Sequence, residues 1–202
     1  MRNKVAVIIL AAGMGTRMKS DKAKVLHEIA GQPMIIYVVA AARKLAGDDI
    51  IVVIGNQAQT VRNTLSGFGN LIFAYQDKQL GTAHAVFCAL PNIPEHCEEV
   101  VVLCGDVPLI QPDTIAGLVE DHLADERDIS LLAVELDNPT GYGRVLLDEN
   151  EQVTRIIEEA DATAQQKEIK LINAGIYCVN KRFLREALPK IGSDNADRKS
   201  VV

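Results

Sequence analysis

The chain has 202 residues, of which 48% are hydrophobic and 24% charged, and its formal net charge is −6 at pH 7. This is enough apolar material for one sizeable buried core, so we expect a single globular unit. The negative charge and the lack of a long run of Lys and Arg argue against nucleic acid as a partner, although a small anionic ligand needs only local positive charge.

The sequence indicates neither a membrane span nor a disulfide framework. No segment reaches the roughly 18 to 20 uninterrupted apolar residues that cross a bilayer. The cysteines show no CxxC spacing, and we interpret them as free thiols that pack as small hydrophobes and form no zinc site: Cys88, Cys97, Cys104 and Cys178. We therefore expect a soluble cytoplasmic protein.

Apolar runs of strand length alternate with segments of helical period along the chain. The predicted strands are Val5–Leu10, Ile50–Ile54, 71–74, 100–104, 129–134 and 174–179. The predicted helices are 34–45, Thr82–Ala89, a helix opened by Pro112, and 182–188. This alternation is typical of a mostly parallel sheet covered by helices on both faces, which is a three-layer α/β fold.

The pattern changes after a turn that ends at Gly141. Two shorter strands, Arg144–Leu147 and 152–157, precede a polar stretch at 158–170. We interpret residues 137–175 as including a small β-rich lobe. No internal repeat or flexible linker divides the chain.

The first strand runs into a glycine-rich loop at residues 10–18. In open α/β sheets, ligands bind beyond the carboxyl ends of the strands. Small residues let backbone N–H groups approach a phosphate, and Arg17 and Lys24 supply the positive charge that a polyphosphate requires. The loop lacks the third glycine of the dinucleotide fingerprint GxGxxG, because Met18 stands there, and no Walker motif occurs in the chain. The loop therefore predicts a phosphate cradle of another type.

The loop after the predicted strand 100–104 carries a candidate metal ligand. Asp106 follows this strand on a glycine turn at Gly105 that Pro108 stiffens. A carboxylate there is suited to hold Mg²⁺ against phosphate oxygens, because this ion needs only one or two protein oxygens beside phosphate and water. The alternative is a turn aspartate that caps the following helix.

A third loop offers amide and backbone groups to a base. Gln76 and the run 79–85 follow the predicted strand 71–74. A side-chain amide both donates and accepts hydrogen bonds, which suits a pyrimidine ring. The histidines show no ligand spacing and are interpreted as structural: His27, His84, His96 and His122.

These segments, in this order, resemble a known family. LAAGMGTRM with Lys24, then QLGTAHA, CGDVPL, NPTGYGR and INAGIY are similar to the uridyltransferase domain of the bifunctional bacterial enzyme that makes UDP-N-acetylglucosamine. The first block is shared by many sugar-1-phosphate nucleotidyltransferases, whereas its combination with the later blocks is specific. The resemblance covers about residues 4–196.

The resemblance implies a Rossmann-like nucleotide-diphospho-sugar transferase fold and a reaction between UTP and N-acetylglucosamine 1-phosphate with Mg²⁺. It implies catalytic roles for Arg17, Lys24 and Asp106, with Asp106 as the metal ligand. The sugar half of the substrate would be held by Gly143, Glu158 and Asn173. The other implied substrate-binding residues lie in the matched blocks: Leu10, Ala11, Ala12, Gly13, Lys24, Gln76, Gly81, Thr82, Cys104, Gly105 and Asp106.

The sequence departs from the family pattern in two ways. Cys104 stands where the family commonly has an aromatic residue, and the chain ends before the asparagine expected as second metal ligand. We therefore expect an incomplete nucleotidyltransferase domain at 1–196, an atypical tail at 197–202 and no β-helical acetyltransferase domain. We also expect weak or no turnover, and a monomer or weak dimer in place of the family's trimer.

Three interpretations compete. The first is the UTP-dependent enzyme, which would serve peptidoglycan and lipopolysaccharide synthesis. The second is a related sugar-1-phosphate nucleotidyltransferase with another base or sugar, and the third is a non-catalytic module that binds a nucleotide or NAD. Gln76 with GTAHA and TGYGR favours the first, and Met18 disfavours NAD.

Overall fold

The structure, a computed structural model, describes residues 4–13, 15, 18 and 20–191. Its strands are β1 (Val5–Leu10), β2 (Glu28–Ile29), β3 (Gln32–Pro33), β4 (Ile50–Ile54), β5 (Ile72–Tyr75), β6 (Glu99–Cys104), β7 (Ile129–Glu135), β8 (Arg144–Leu147), β9 (Val153–Ile157) and β10 (Leu171–Asn180). Its α-helices are α1 (Met34–Ala46), α2 (Ala58–Thr64), α3 (Thr82–Ala89), α4 (Pro112–Ala124), α5 (Ala164–Lys167) and α6 (Lys181–Ala187). Arg17 and the tail at 197–202 lie outside the described residues.

A mixed eight-stranded sheet forms the middle layer of the molecule. Strands β5, β4, β1 and β6 lie side by side and are parallel, and β10 then joins β6 in antiparallel orientation. Strands β7 and β8 both pair with β10, and β9 pairs with β8, all antiparallel. The buried runs of β1, β4 and β6 are what a sheet covered on both faces requires.

Alternate side chains of the strands enter two apolar clusters, one on each face of the sheet. In β1, Val7 and Ile9 pack with residues of α1 and α4, whereas Ala6 and Ile8 pack with residues of α3 and α6. Successive strand residues point to opposite faces, so each strand contributes to both clusters. The predicted three-layer α/β fold is confirmed, and the loops at the carboxyl ends of β1, β4, β5 and β6 are anchored on a packed core.

The β8–β9 pair joins the rest of the sheet through the pairing of Arg144 with Ile172. Arg144 is only 1% exposed, and its guanidinium donates to the Glu159 carboxylate at 2.7 Å and to the Lys167 carbonyl at 3.2 Å. These contacts tie the strand pair to the chain that follows it. That residues 137–175 include a separate sugar-binding lobe stays a prediction.

The predicted strands and helices are present, with bounds that shift by at most three residues, at the start of β10. The sequence pattern does not predict α2, α5 or the β2–β3 hairpin, because short elements carry too few residues for a periodicity to show. In α4 the buried stripe runs through Ile115, Val119 and His122. Leu123 is 49% exposed because it lies to the side of these positions.

The cysteines are free thiols, as predicted. Two of them, Cys97 and Cys178, are fully buried. Among the described residues, no helix has the length and apolar character needed to cross a membrane.

Candidate functional site

A cleft of about 320 Å³ opens at the carboxyl ends of β1 and β6. Parallel strands end at one edge of a sheet, so the loops that follow them meet there. The described residues that line it come from the loops after β1, β5 and β6 and from the segment around Lys24: Leu10, Ala12, Gly13, Gly15, Lys24, Val25, Gln76, Gln79, Gly81, Thr82, Ala85, Cys104 and Asp106. Most residues predicted for the nucleotide half are therefore brought together.

Backbone contacts fix the loop after β1. The Ala11 N–H donates to the Val53 carbonyl at 2.8 Å, and the Gly105 N–H donates to the Leu10 carbonyl at 2.9 Å. Gly15 has a φ of +64°, and a Cβ placed on it would lie 2.7 Å from the Cβ of Lys24. A glycine is therefore required for the Lys24 segment to pack against this loop.

Lys24 and Asp106 form an ion pair at the rim of the cleft, between Nζ and Oδ2. Their side chains are 44% and 23% exposed, so both can be reached from solvent. An ammonium binds phosphate oxygens, and a carboxylate binds a divalent cation. The alternative of a helix-capping aspartate is wrong, because the N-cap residue of α4 is Gln111.

Gln76 is held in one orientation. Its side-chain Nε2 donates to the Gly81 carbonyl at 3.1 Å and lies 3.1 Å from Nδ1 of His84, which must be unprotonated to accept. The reverse orientation would place the amide oxygen against the Gly81 carbonyl oxygen. Because both N–H groups are engaged, Oε1 is the atom that remains to accept a hydrogen bond from a ligand in the cleft.

The sequence analysis did not predict that Gln79 and Gly55 hold the loops of the cleft together. Nε2 of Gln79 donates to the Ala12 carbonyl at 2.7 Å and so joins the loop after β5 to the loop after β1. A Cβ on Gly55 would lie 2.9 Å from the Gln76 carbonyl oxygen and 3.1 Å from the Cβ of Ala12. A signal for Gly55 exists in the sequence, because it directly follows a buried strand, as Gly105 does.

The residues predicted for the sugar half also lie together. The Asn173 N–H donates to the Gly143 carbonyl at 2.9 Å, and a Cβ on Gly143 would lie 3.4 Å from Oε1 of Glu158. The Asn173 side chain accepts from the Gly175 N–H at 2.9 Å. The carbonyl of Gly175 is 3.6 Å from Sγ of Cys104, which lines the cleft, so this group adjoins the cleft at Cys104.

Cys104, whose thiol lies between the cleft and the residues predicted for the sugar half, is not a nucleophile. Burial, helped by the nearby Asp106 carboxylate, raises the pKa of Cys104 to about 11. The thiol is therefore protonated at pH 7, and thiolate chemistry is unavailable there. Burial also raises the pKa of Tyr177, whose hydroxyl is 2.6 Å from Nδ2 of Asn173.

Two clusters of metal-binding side-chain types lie elsewhere in the described part of the chain, and neither includes Asp106. One is Asp49–His96–Cys97 and the other is Glu99–His122–Cys178. Glu99 is the first residue of β6, whereas the cleft lies beyond its last residue. A cation at the cleft would therefore depend on Asp106.

The glycine loop, the ion pair and the oriented amide at the carboxyl edge of the sheet define a nucleotide-binding protein of α/β class. Comparison with known proteins refines this class. A family model described as the MobA-like NTP transferase domain matches residues 7–169, so the chain belongs to this family of nucleotidyltransferases. The prediction of a nucleotidyltransferase is thereby confirmed, whereas the predicted bounds of its domain, 1–196, stay a prediction.

Curated relatives named Bifunctional protein GlmU are similar over nearly the whole chain. The relative from Geobacter metallireducens is 45% identical over 192 residues, which are 95% of this chain and 40% of the relative. That from Desulfotalea psychrophila is 45% identical over 194 residues, 96% of this chain and 57% of the relative. That from Caldicellulosiruptor saccharolyticus is 47% identical over 197 residues, 97% of this chain and 42% of the relative.

Solved structures support the fold. A putative glucose-1-phosphate thymidylyltransferase from Bacillus anthracis, in complex with a sucrose, has a TM-score of 0.78 at 21% identity, covering 96% of this chain and 77% of that one. HddC from Yersinia pseudotuberculosis, complexed with GMP-PN, has a TM-score of 0.70 at 22% identity, covering 96% of this chain and 81% of that one. The predicted Rossmann-like nucleotidyltransferase fold is confirmed.

Proposed function

We propose that the chain transfers the uridylyl group of UTP to N-acetylglucosamine 1-phosphate, forming UDP-N-acetylglucosamine and pyrophosphate. The observation that carries this proposal is the cleft that joins the glycine loop, the Lys24–Asp106 pair and the oriented amide of Gln76. The motif resemblance supplies the choice of sugar. This activity would serve peptidoglycan and lipopolysaccharide synthesis.

The reaction would be an in-line displacement at phosphorus. A phosphate oxygen of N-acetylglucosamine 1-phosphate would form a bond to the α-phosphorus of UTP, while the bond from that phosphorus to the bridging oxygen breaks and pyrophosphate leaves. Both reactants are anions, so the protein has to align them and neutralise charge. Lys24 would bind phosphate oxygens, and Arg17 is proposed for the same task.

The nucleotide would lie across the loop at residues 10–13, which offers backbone N–H groups to phosphate. Gln76 would recognise the base. Uracil carries an N–H at ring position 3, which Oε1 of Gln76 can accept, whereas cytosine presents a lone pair at that position and would be repelled. Gly81 and Thr82, which line the cleft beside Gln76, would complete the base site. The orientation of Gln76 thus supports uracil over cytosine.

Asp106 would hold a divalent cation. Nucleotidyltransferases of this family generally use one, and Mg²⁺ is the ion we propose. The residues fit, because Asp106 is the one carboxylate among the described residues of the cleft lining, and Mg²⁺ accepts a single protein oxygen when phosphate and water supply the others. When bound, the cation would neutralise negative charge on the phosphates.

The second substrate would bind where the strand pair β8–β9 meets β10. Gly143, which lacks a side chain, would let the sugar ring approach the backbone, and Glu158 and Asn173 would hydrogen-bond to its hydroxyl and amide groups. Cys104 and Gly105 would lie between the sugar and the nucleotide. Monomer or weak dimer is the proposed state of this chain.

A matrix of nucleoside triphosphates and sugar phosphates, read by pyrophosphate release, tests the proposal. We expect UTP with N-acetylglucosamine 1-phosphate to be the best pair and a chelator to abolish release. A different best pair would favour the related nucleotidyltransferase. Nucleotide binding that survives a chelator, without transfer for any pair, would favour the binding module.

Lys24→Ala provides the residue-level test of the same proposal. Removing one preorganised charge-stabilising group should lower kcat by about 10²-fold. Lys44→Ala is a matched control, because Lys44 lies in the last turn of α1 and does not line the cleft. Near-normal turnover of Lys24→Ala would contradict the assigned role.

A further inference from the structure

Gln57 lies outside the cleft lining, yet its side chain crosses to the segment that carries Lys24. Its Oε1 accepts a hydrogen bond from the Ala23 N–H at 3.2 Å, and its Nε2 donates to the Asp21 carbonyl. One side-chain amide thus holds two backbone groups of the chain that immediately precedes Lys24. The two contacts together fix both the position and the orientation of that backbone.

The backbone of Gln57 itself is in the left-handed region, with φ of 53° and ψ of 33°. Residues other than glycine, asparagine and aspartate rarely adopt this backbone conformation. Where they do, contacts with the surrounding structure stabilise it. Here the residue stands as N-cap of α2, but its side chain makes no capping bond and instead contacts the Lys24 segment. The left-handed backbone of Gln57 therefore directs its side-chain amide away from α2 and towards the backbone of Asp21 and Ala23.

The segment around Lys24 has other polar contacts, but they are local in sequence or lie at the end of the Lys24 side chain. The His27 N–H donates to the Lys24 carbonyl at 3.2 Å, the Lys22 N–H donates to Oγ of Ser20 at 3.1 Å, and Nζ of Lys24 pairs with Asp106.

Val25 and Leu26 are buried and hold the chain just after Lys24, but apolar packing is not directional. Asp21 and Lys22 are exposed. The amide of Gln57 is the contact that ties the backbone before Lys24 to the start of α2, and we call its two hydrogen bonds the clamp.

We propose that Gln57 is a positioning residue that sets the place of the Lys24 ammonium over the transferred phosphate. This inference rests on the proposed role of Lys24. An ammonium at the end of a long flexible side chain depends on the placement of its backbone, and catalytic groups have to be held within about 0.5 Å of their working geometry. Loss of the clamp therefore lowers transfer without removing any group that touches substrate.

Gln57→Gly tests the proposal, because glycine accepts the left-handed backbone and only the side chain is lost. Gln59→Ala is the matched control: Gln59 is exposed in the same helix, and its amide donates to Oδ1 of Asn63, four positions along the chain. Two readouts are taken on each variant: the hydrogen-exchange rate of the Ala23 amide, and kcat and KM for transfer. We expect Gln57→Gly to speed exchange at Ala23 and to lower kcat about 10-fold with little change in the KM for UTP.

A double-mutant cycle separates positioning of Lys24 from a general structural role. In a Lys24→Ala background, Gln57→Gly should lower kcat by less than about 2-fold, because the group that it positions is gone. An equal 10-fold fall in both backgrounds, or unchanged exchange at Ala23, would overturn the inference. Absence of transfer by the wild-type chain would count against turnover by this chain and not against the clamp, because the exchange rate at Ala23 would still decide whether Gln57 holds the segment.

Discussion

At the scale of single residues, base selection depends on how one amide is turned. Gln76 presents Oε1 to the cleft because the Gly81 carbonyl and Nδ1 of His84 take its N–H groups. His84→Phe keeps an aromatic ring but removes the acceptor, so the amide can turn over. We expect kcat/KM for UTP to fall about 10-fold, since one hydrogen bond of about 1.4 kcal/mol no longer fixes the orientation. The ratio of the UTP rate to the CTP rate should therefore fall towards 1.

His96→Phe is the control for that change. His96 is exposed and pairs with Asp49, which precedes β4 at the opposite end of the strand from the cleft. This variant should keep the wild-type ratio of UTP to CTP rates. An unchanged ratio in His84→Phe would show that Gly81 alone orients the amide.

Candidate site residues that belong to a local sequence motif could be predicted. Residues that support the site through contacts distant in sequence could not. Gln76 and Asp106 stand just after β5 and β6, and Lys24 follows the glycine loop, all in motifs that the sequence displays. Gln57 and Gln79 hold backbone groups that are 34 and 67 positions away along the chain. No local spacing encodes such contacts, because they exist only once the strand order is set.

At the scale of elements, one buried arginine fastens the β8–β9 pair. Arg144 donates to the Glu159 carboxylate, which also accepts from the Gly141 N–H at 3.2 Å. The hydrogen bond from Arg144, with that from Gly141, lowers the pKa of Glu159 from its usual value of 4.5. A carboxyl whose folded pKa is depressed stabilises the fold above its unfolded pKa, and this stabilisation is lost as pH falls through the folded pKa.

Glu159→Gln should therefore be less stable than the wild type at pH 7, and the difference should shrink as the pH falls below about 4.5. Urea unfolding at a series of pH values between about 7 and 3 measures it. Glu168→Gln is the control, since Glu168 is exposed and lies at the end of α5. A difference that stays constant across this range would mean that Glu159 acts by packing and not by charge.

The long central elements could be predicted because their residues are apolar on both faces, as β1, β4 and β6 show. The pairing of β10 with β6, β7 and β8 could not be predicted. Strand order depends on contacts between residues that are distant in sequence, and a period of two residues reveals only which face is buried. The pattern thus located the parallel half of the sheet better than the antiparallel half.

At the scale of the whole molecule, the edge of the sheet that carries the cleft is separate from the edge that carries a buried polar network. Glu99 begins β6 and Cys104 ends it, so their backbones are about 17 Å apart at the rise of a strand. The polar network lies at the edge where β6 begins. There, Oε2 of Glu99 is 3.1 Å from Nε2 of His122, and Nδ1 of His122 is 2.9 Å from Oγ of Ser130. Asn180 donates to the other Glu99 oxygen at 3.1 Å.

This network joins α4, β6, β7 and β10, and its position separates stability from activity. Glu99→Ala leaves the buried His122 and the half-buried Asn180 without the carboxylate that they share, which costs about 3 kcal/mol of unfolding free energy. The cleft lies at the other end of β6, so UTP affinity by calorimetry should stay within about 2-fold of the wild type where both chains are folded. Glu99→Ala combined with His122→Leu should lose less than the two single losses added, because the second change removes a group already unpaired. A parallel fall in stability and UTP affinity would show instead that the two edges are coupled through β6.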